Sequence, residues 1–261
     1  MTEKMLARRE GAIGHMTFNQ PEKRNAVSLS MWERAVEILE DFEADPEIRV
    51  VVLSGTGGKA FVSGADISEF EDNRSTAEAQ QHYNARTSEV YERIEAFPKP
   101  TIAMIDGFCI GGGLNLACVC DIRICSEKSQ FGMPAARLAL GYPFAAIKRL
   151  AAIVGIASAR DLMFTARRID AEDAARIGLV QQVVPETHLA ETVSNYAGSI
   201  AANAPLTVAA MKFISTQVLA DPNARDLPAC DAMVARCFAS EDFKEGRRAF
   251  MEKRKPEFQG R

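Results

Sequence analysis

Three consecutive glycines, Gly111-Gly112-Gly113, stand within Asp106-Gly107-Phe108-Cys109-Ile110-Gly111-Gly112-Gly113-Leu114-Asn115-Leu116-Ala117, between an apolar run and a segment spaced for a helix. Glycine lets a ligand approach the main chain closely, and the first N–H groups of a helix have no partner inside it. Such a place suits an oxyanion, which the partial positive charge of a helix N-terminus also favours. Taken alone, the same glycines serve equally well as a tight turn with close strand-to-helix packing. The spacing is not G-x-G-x-x-G followed by an acid, and no Gly-Lys-Ser/Thr follows, so neither a dinucleotide fingerprint nor a Walker loop is present.

A second loop, Gly57-Gly58-Lys59-Ala60-Phe61-Val62-Ser63-Gly64-Ala65-Asp66-Ile67-Ser68, puts a lone glycine before a polar turn. There Gly64 can leave the amide of Ala65 free. Asp66 reads as a side chain that holds the loop by bonding nearby backbone, with Glu69 a reserve acid. Two cations, Lys23 and Arg24, lie in the polar break Asn19 to Ala26, which is either a solvated turn or a phosphate contact. His15, His82 and His188 fall on no recognised active-site segment and read as surface or core histidines. The six cysteines show no C-x-x-C spacing, and four of them (Cys109, Cys118, Cys120 and Cys125) fall in apolar segments. Buried free thiols fit better than a metal or disulfide framework, and a reducing cytoplasmic setting follows.

The elements that must position these residues alternate between strand and helix. Gly14 to Asn19 predicts a strand, and Ser30 with Glu33 a capping box opening a helix whose buried face is Met31, Ala35, Ile38, Leu39 and Phe42. Val50 to Leu53 is a buried strand, and strand, helix, strand implies parallel pairing. Ser75 with Glu78 predicts a second capping box, and Tyr83, Val90, Tyr91 and Ile94 line the helix that Pro98 and Pro100 stop. Thr101 to Ile105 is the strand feeding the glycines, and Asp121 to Ser126 another strand. Phe131 to Pro143 reads as an irregular connection, Ala145 to Val154 as a helix and Leu179 to Val184 as a strand. Leu189–Ala202, Leu206–Val218, Ala229–Ala239 and Phe243–Lys253 are helix candidates, with the change to an all-helical region near Ala204-Pro205.

Composition bounds the function. With 47% hydrophobic and 25% charged residues, the 261-residue chain is that of an ordinary globular protein. No run of about eighteen uncharged apolar residues exists, so no membrane span is expected. The stretch from Met1 to Glu10 has no apolar core of the kind a secretory signal needs. A net charge of −4 and a pI near 5.6 argue against a nucleic-acid partner held by phosphate contacts.

Together the loop Lys59 to Ile67, the stretch Asp106 to Asp121 and the close Phe250-Met251-Glu252-Lys253-Arg254-Lys255-Pro256-Glu257-Phe258 resemble the crotonase superfamily, the enoyl-CoA hydratase/isomerase family, from about Gly14 to the C-terminus. The resemblance implies an α/β fold, a crotonase/ClpP-like spiral of β-β-α units over residues 1–204, with a C-terminal helical trimerisation region over residues 205–261. It implies a homotrimer or a dimer of trimers, a cytoplasmic role in acyl-CoA and fatty acid metabolism, and a coenzyme A thioester as substrate. No metal and no cofactor beyond that coenzyme A are implied. By position, the amides of Ala65 and Gly112, with Gly111 beside them, form the family's oxyanion hole. Two such donors stabilise a thioester enolate as it forms, and losing one costs about 3–4 kcal/mol. The adenine is placed near the backbone of Ala60, Phe61 and Ile67. Lys23, Arg24 and, from a neighbouring subunit, Phe250 and Lys253 become contacts to the coenzyme, the cations to its phosphates.

The chain departs from the family's hydratases, in which two glutamates hold and activate one water. Asn115 and Ala135 stand at those positions, and neither an amide nor a methyl group is a general base. Loss of CO2 from a β-carboxylate yields the enolate directly and needs no base. Within the family, the run Ser240 to Gly246, continuing to Gly260, and Tyr142 look most like the methylmalonyl-CoA decarboxylases. Tyr142 is at once a donor to the departing carboxylate or the enolate and, equally, an ordinary loop tyrosine beside Pro143 and Phe144. The histidine those decarboxylases carry after the loop glycine is Ala65 here. The expectation is thus an acyl-CoA lyase favouring decarboxylation of a malonyl-CoA-type thioester. The alternatives are an enoyl-CoA hydratase with a non-standard base, its water held by Asn115, and a non-catalytic acyl-CoA-binding protein.

Overall fold

The computed structural model describes residues 3–66 and 77–261. Ile67, Glu69 and Ser75, and with Ser75 the second capping box, lie outside the described residues.

Ten strands form two sheets among the described residues. In the larger, of order β1-β2-β3-β5-β7-β10, the members are β1 (Met5–Glu10), β2 (Ile13–Phe18), β3 (Val50–Gly55), β5 (Thr101–Ile105), β7 (Ile122–Ser126) and β10 (Gln182–Val184). All pair in parallel except β1, which runs antiparallel to β2. The smaller sheet, β4-β6-β8-β9, comprises β4 (Ala60–Val62), β6 (Phe108–Ile110), β8 (Gln130–Gly132) and β9 (Arg168–Asp170). Strands β3 and β4, β5 and β6, and β7 and β8 follow one another in the chain and step from the large sheet to the small. That repeat is the expected β-β-α spiral.

The long parallel strands are buried on both faces, which is why they read as continuous apolar runs. Val51 and Leu53 face one core with Trp32 and Phe61, while Val50 and Val52 face a second with Ile102 and Ile124. Helix α1 (Leu29–Ala44) covers the first with Met31, Trp32, Ala35, Ile38, Leu39 and Phe42. Helix α2 (Ala77–Glu95) packs on α1, and the glycine helix α3 (Gly112–Val119) lies against α2. Next come α4 (Phe144–Thr165), broken at Gly155, α5 (Ala171–Arg176) and α6 (Leu189–Ala201), which covers the second core. Helices α7 (Pro205–Leu219), α8 (Leu227–Ala239) and α9 (Glu241–Glu252) end the chain. No single helix among the described residues is long and apolar enough to cross a membrane.

Several expectations are corrected. The α1 cap is Ser28, whose Oγ accepts from the Met31 N–H at 3.3 Å; Ser30 sits inside the first turn and meets Ser28 through its hydroxyl at 3.0 Å. Strand β1 went unforeseen because Arg8, Arg9 and Glu10 point to solvent on a sheet edge, where charge is tolerated. The glycines do not follow β5 directly, since β6 intervenes after a turn at Asp106-Gly107. Leu179 to Val184 forms a strand only over Gln182–Val184, and the irregular connection holds β8 and a 3-10 turn, Pro134–Leu138. The cysteines are free, and Cys109, Cys118, Cys120, Cys125 and Cys230 are buried.

The glycine helix is fixed at both ends. At its C-terminus the buried Arg123 donates from Nη1 to the carbonyls of Cys120 (2.7 Å) and Ala117 (3.2 Å), and from Nε to Leu179 (2.7 Å). A cation there is favoured by the helix dipole. At its start, a Cβ on Gly113 would stand 1.9 Å from the Val62 carbonyl oxygen, so only glycine allows β4 to approach this closely.

Gly113→Ala is therefore expected to lower stability by about 1–3 kcal/mol or to prevent folding, as overpacking against rigid backbone does. An unchanged urea midpoint would contradict this packing. Burial also pushes the Cys118 thiol up to about 11 and the Cys120 thiol up to about 12. Thiols of the unfolded chain ionise at about 8.5. The folded form then holds the extra protons, so stability is full below about pH 8 and is lost as pH rises toward 11–12. The denaturation midpoint should fall over that window, less steeply in Cys118→Ala; a flat profile would contradict it.

Candidate active site

The stretches singled out in the sequence converge on one cavity of about 530 Å³. Its lining takes Ser63, Gly64 and Ala65 from the loop after β4, and Gly111, Gly112 and Asn115 from the start of α3. Pro134 and Ala135 come from the 3-10 turn, Tyr142 from the segment before α4, and Tyr83, Tyr91 and Glu92 from α2.

The loop peptide between Gly64 and Ala65 is held on one side only. Its carbonyl accepts from the Val27 N–H at 2.8 Å, and the Val27 carbonyl accepts from the Asp66 N–H at 3.0 Å. A trans peptide points its N–H away from its carbonyl, so the Ala65 N–H faces away from Val27. Gly64 has φ +118°, a conformation that L side chains rarely adopt. The Gly111-Gly112 peptide repeats the arrangement: the Gly111 carbonyl accepts from the Asn115 N–H at 3.1 Å, and Gly112 opens the helix. A Cβ on Gly112 would lie 3.7 Å from Gly64 Cα, and one on Gly64 would lie 3.9 Å from the Gly112 nitrogen. The two peptides are neighbours, and among the described residues neither N–H has an acceptor.

Around them the cavity is mostly neutral. Asn115 is 5% exposed, and its Oδ1 has no partner among the described residues. Ala135 offers a methyl group. The Tyr91 hydroxyl donates to the Gly112 carbonyl at 3.0 Å, and burial first, then the neighbouring Tyr142 and Tyr83 phenols, hold it well above the usual tyrosine range against a smaller opposing interaction with Asn115. Burial, with Cys118 nearby, likewise raises Tyr142, whose hydroxyl has no partner among the described residues. Both phenols therefore stay protonated through neutral pH. Glu92 is the one carboxylate among the described lining residues, and its side chain is exposed.

The other expected residues are placed differently. Lys23 does not present a free ammonium: it is bound to the buried Asp66 carboxylate at 2.8 Å, which also accepts from Gln20 Nε2 at 3.1 Å. Asp66 thus ties the two loops together. The Arg24 guanidinium stacks over Phe108, 5.3 Å from the ring centroid, with no carboxylate partner among the described residues. Ala60 and Phe61 are buried in β4, and the Ala60 carbonyl already accepts from Asn25 Nδ2 at 2.8 Å. Phe250 is 83% exposed and lines a separate groove of about 790 Å³ among α7, α8 and α9; Lys253 caps α9. Within one chain neither reaches the cavity around Ala65 and Gly112.

Among the lining residues that went unrecognised in the sequence are Tyr83, Tyr91, Glu92 and Arg149. The spacing of the tyrosines marks them as a buried helix face, and a face shared between core and cavity has the same period as one wholly in the core. The available signal was chemical, because a buried phenol needs a partner for its hydroxyl.

Comparison with known proteins identifies the family. The family model for enoyl-CoA hydratase/isomerase matches residues 8–261. The chain is 36% identical over 253 residues to a short-chain-enoyl-CoA hydratase of Clostridium acetobutylicum, covering 97% of this chain and 96% of that protein. It is 34% identical to a crotonyl-CoA hydratase of Syntrophomonas wolfei, with 98% of each chain covered. A crystal structure of a putative enoyl-CoA hydratase/isomerase family protein from Hyphomonas neptunium superposes with a TM-score of 0.94 at 34% identity, covering 100% of this chain and 99% of the other. Fold and sequence agree over the whole length, and the chain belongs to the enoyl-CoA hydratase/isomerase family.

Proposed function

We propose that the protein is an acyl-CoA lyase that forms a thioester enolate by decarboxylating a malonyl-CoA-type substrate. The observation carrying this reading is the pair of partnerless N–H groups of Ala65 and Gly112, side by side beneath a cavity where Asn115 and Ala135 replace acids. The thioester oxygen sits between the two amides, which strengthen their hydrogen bonds as negative charge develops there. Loss of CO2 leaves the electron pair in the enolate without any proton being abstracted. Tyr142, neutral and with no hydroxyl partner among the described residues, then supplies a hydrogen bond or the proton at Cα. Arg24 rather than Lys23 takes a phosphate of the coenzyme, since Asp66 already occupies Lys23. Phe250 and Lys253 act across a trimer contact, where the exposed apolar groove of α7 to α9 meets a neighbouring copy.

One observation favours a second reading, the hydration of an enoyl-CoA. Glu92 lines the cavity and is the non-standard base that such a reaction would use, and the two relatives described above carry hydratase names. Against it, the carboxylate is single and exposed, whereas the two-acid route needs a pair to hold and deprotonate one water.

Offering methylmalonyl-CoA and crotonyl-CoA separately tests the choice: CO2 release from the first and no appreciable hydration of the second are expected. Hydration at an ordinary enzymatic rate, abolished by Glu92→Gln, would overturn decarboxylation. For the decarboxylase, kcat/KM should stay level through neutrality and fall only as pH rises above about 10, because the acid form of Tyr142 is the active one and burial raises its pKa. A limb lost as pH falls through about 5 would report a carboxylate base instead.

A further inference from the structure

Helix α2 touches both donor segments, each through a tyrosine. Tyr91 Oη donates to the Gly112 carbonyl at 3.0 Å and lies 3.3 Å from where a Gly112 Cβ would stand. Tyr83 Oη donates to the Val27 carbonyl at 3.3 Å, the same oxygen that receives the Asp66 N–H on the far side of Ala65. Trp32 joins the two phenols: its Nε1–H donates to Tyr83 Oη at 3.3 Å, and its ring meets Tyr91 edge-on with centroids 5.4 Å apart. Eight residues of α-helix separate the tyrosines by about 12 Å, a length that a hydrogen-bonded helix holds fixed.

We propose that Tyr83 and Tyr91 are positioning residues that, with Trp32 between them, set the spacing and aim of the two oxyanion donors, Ala65 N–H and Gly112 N–H. The inference rests on the enolate reading above and does not depend on whether decarboxylation or hydration follows. The only other side-chain hydrogen bond to the first α3 peptides among the described residues comes from the Cys109 thiol, a weak donor, to the Gly113 carbonyl at 3.4 Å, so Tyr91 is the stronger side-chain restraint on rotation of the helix start. Asn115 lies on the same helix start, and its Oδ1 has no hydrogen-bond partner among the described residues. Releasing Tyr91 therefore loosens the segment that carries the Gly112 donor. Releasing Tyr83 loosens the Val27 ladder under Ala65.

The test uses the full chain, with Tyr83→Phe and Tyr91→Phe made separately so that each ring keeps its packing. Isotope-edited infrared spectroscopy of bound [1-13C]propionyl-CoA reads the thioester carbonyl, which two aimed donors shift to lower frequency. Wild type is expected to show the shift. Each variant should bind the ligand and melt near the wild-type temperature, yet lose a substantial part of the shift and, in turnover, about 10- to 100-fold in kcat with little change in KM. A full shift retained in both variants would overturn the positioning role while leaving the enolate reading intact. Absence of any shift in the wild-type complex would instead overturn the enolate reading on which it rests. Should Tyr91→Phe fail to fold, Tyr83→Phe still carries the comparison.

Discussion

A trans peptide cannot aim its carbonyl and its N–H the same way, and the site is built on that constraint twice. Val27 captures the Gly64 carbonyl, and the α3 ladder captures the Gly111 carbonyl through the Asn115 N–H. Each capture sends the opposite N–H toward the cavity, where it has no acceptor among the described residues. The rest of the structure makes the two captures simultaneous: β4 and β6 run parallel in the small sheet, and Gly113 lets the helix start press against Val62. The glycines matter here as places where a side chain would collide with a neighbouring backbone, as much as for their own freedom.

Electrostatics then limits what the cavity can do. Aimed dipoles cost nothing to reorganise and act strongly where water is scarce. The surrounding polar groups include an amide and phenols that burial keeps protonated, with Glu92 and Arg149 the charged residues of the described lining. Such a lining accommodates developing negative charge and supplies protons, yet among the described residues it contains no buried base. Of the cations, Arg149 lines the cavity and is paired with Glu95, whereas Lys23 is consumed by Asp66 and Arg24 lies over Phe108. In the proposed reading, acyl chemistry and coenzyme recognition thus fall to different parts of the surface.

Much of this was legible in the sequence, for identifiable reasons. The buried strands announce themselves because both faces of Val50 to Leu53 are covered, and the two donor loops because glycine falls where a strand gives way to a polar turn or a helix. The small sheet was not legible. Its strands are three residues long, too short for any period, and they pair only because the large sheet sets their spacing. Ser28 lost to Ser30 as the α1 cap in the sequence because both precede the same apolar face, and only backbone geometry separates them. Tyr83 and Tyr91 stayed hidden because hydrophobic periodicity reports burial and says nothing about what a buried hydroxyl holds. Glu92, one residue further on, has the opposite difficulty: an exposed carboxylate on a helix has no sequence mark that separates solvent from the edge of a cavity.

The central claim is that two main-chain donors stabilise an enolate in a cavity without a functioning carboxylate base. Proton exchange in D2O, followed by NMR, tests it most directly. Incubated with the protein, methylmalonyl-CoA should give a product carrying one solvent deuterium at Cα, from protonation of the enolate left by CO2. Propionyl-CoA, which has no carboxylate to lose, should keep both α-protons over the same period. Rapid exchange of the propionyl-CoA α-protons would contradict the account, because only a base positioned at Cα could remove them.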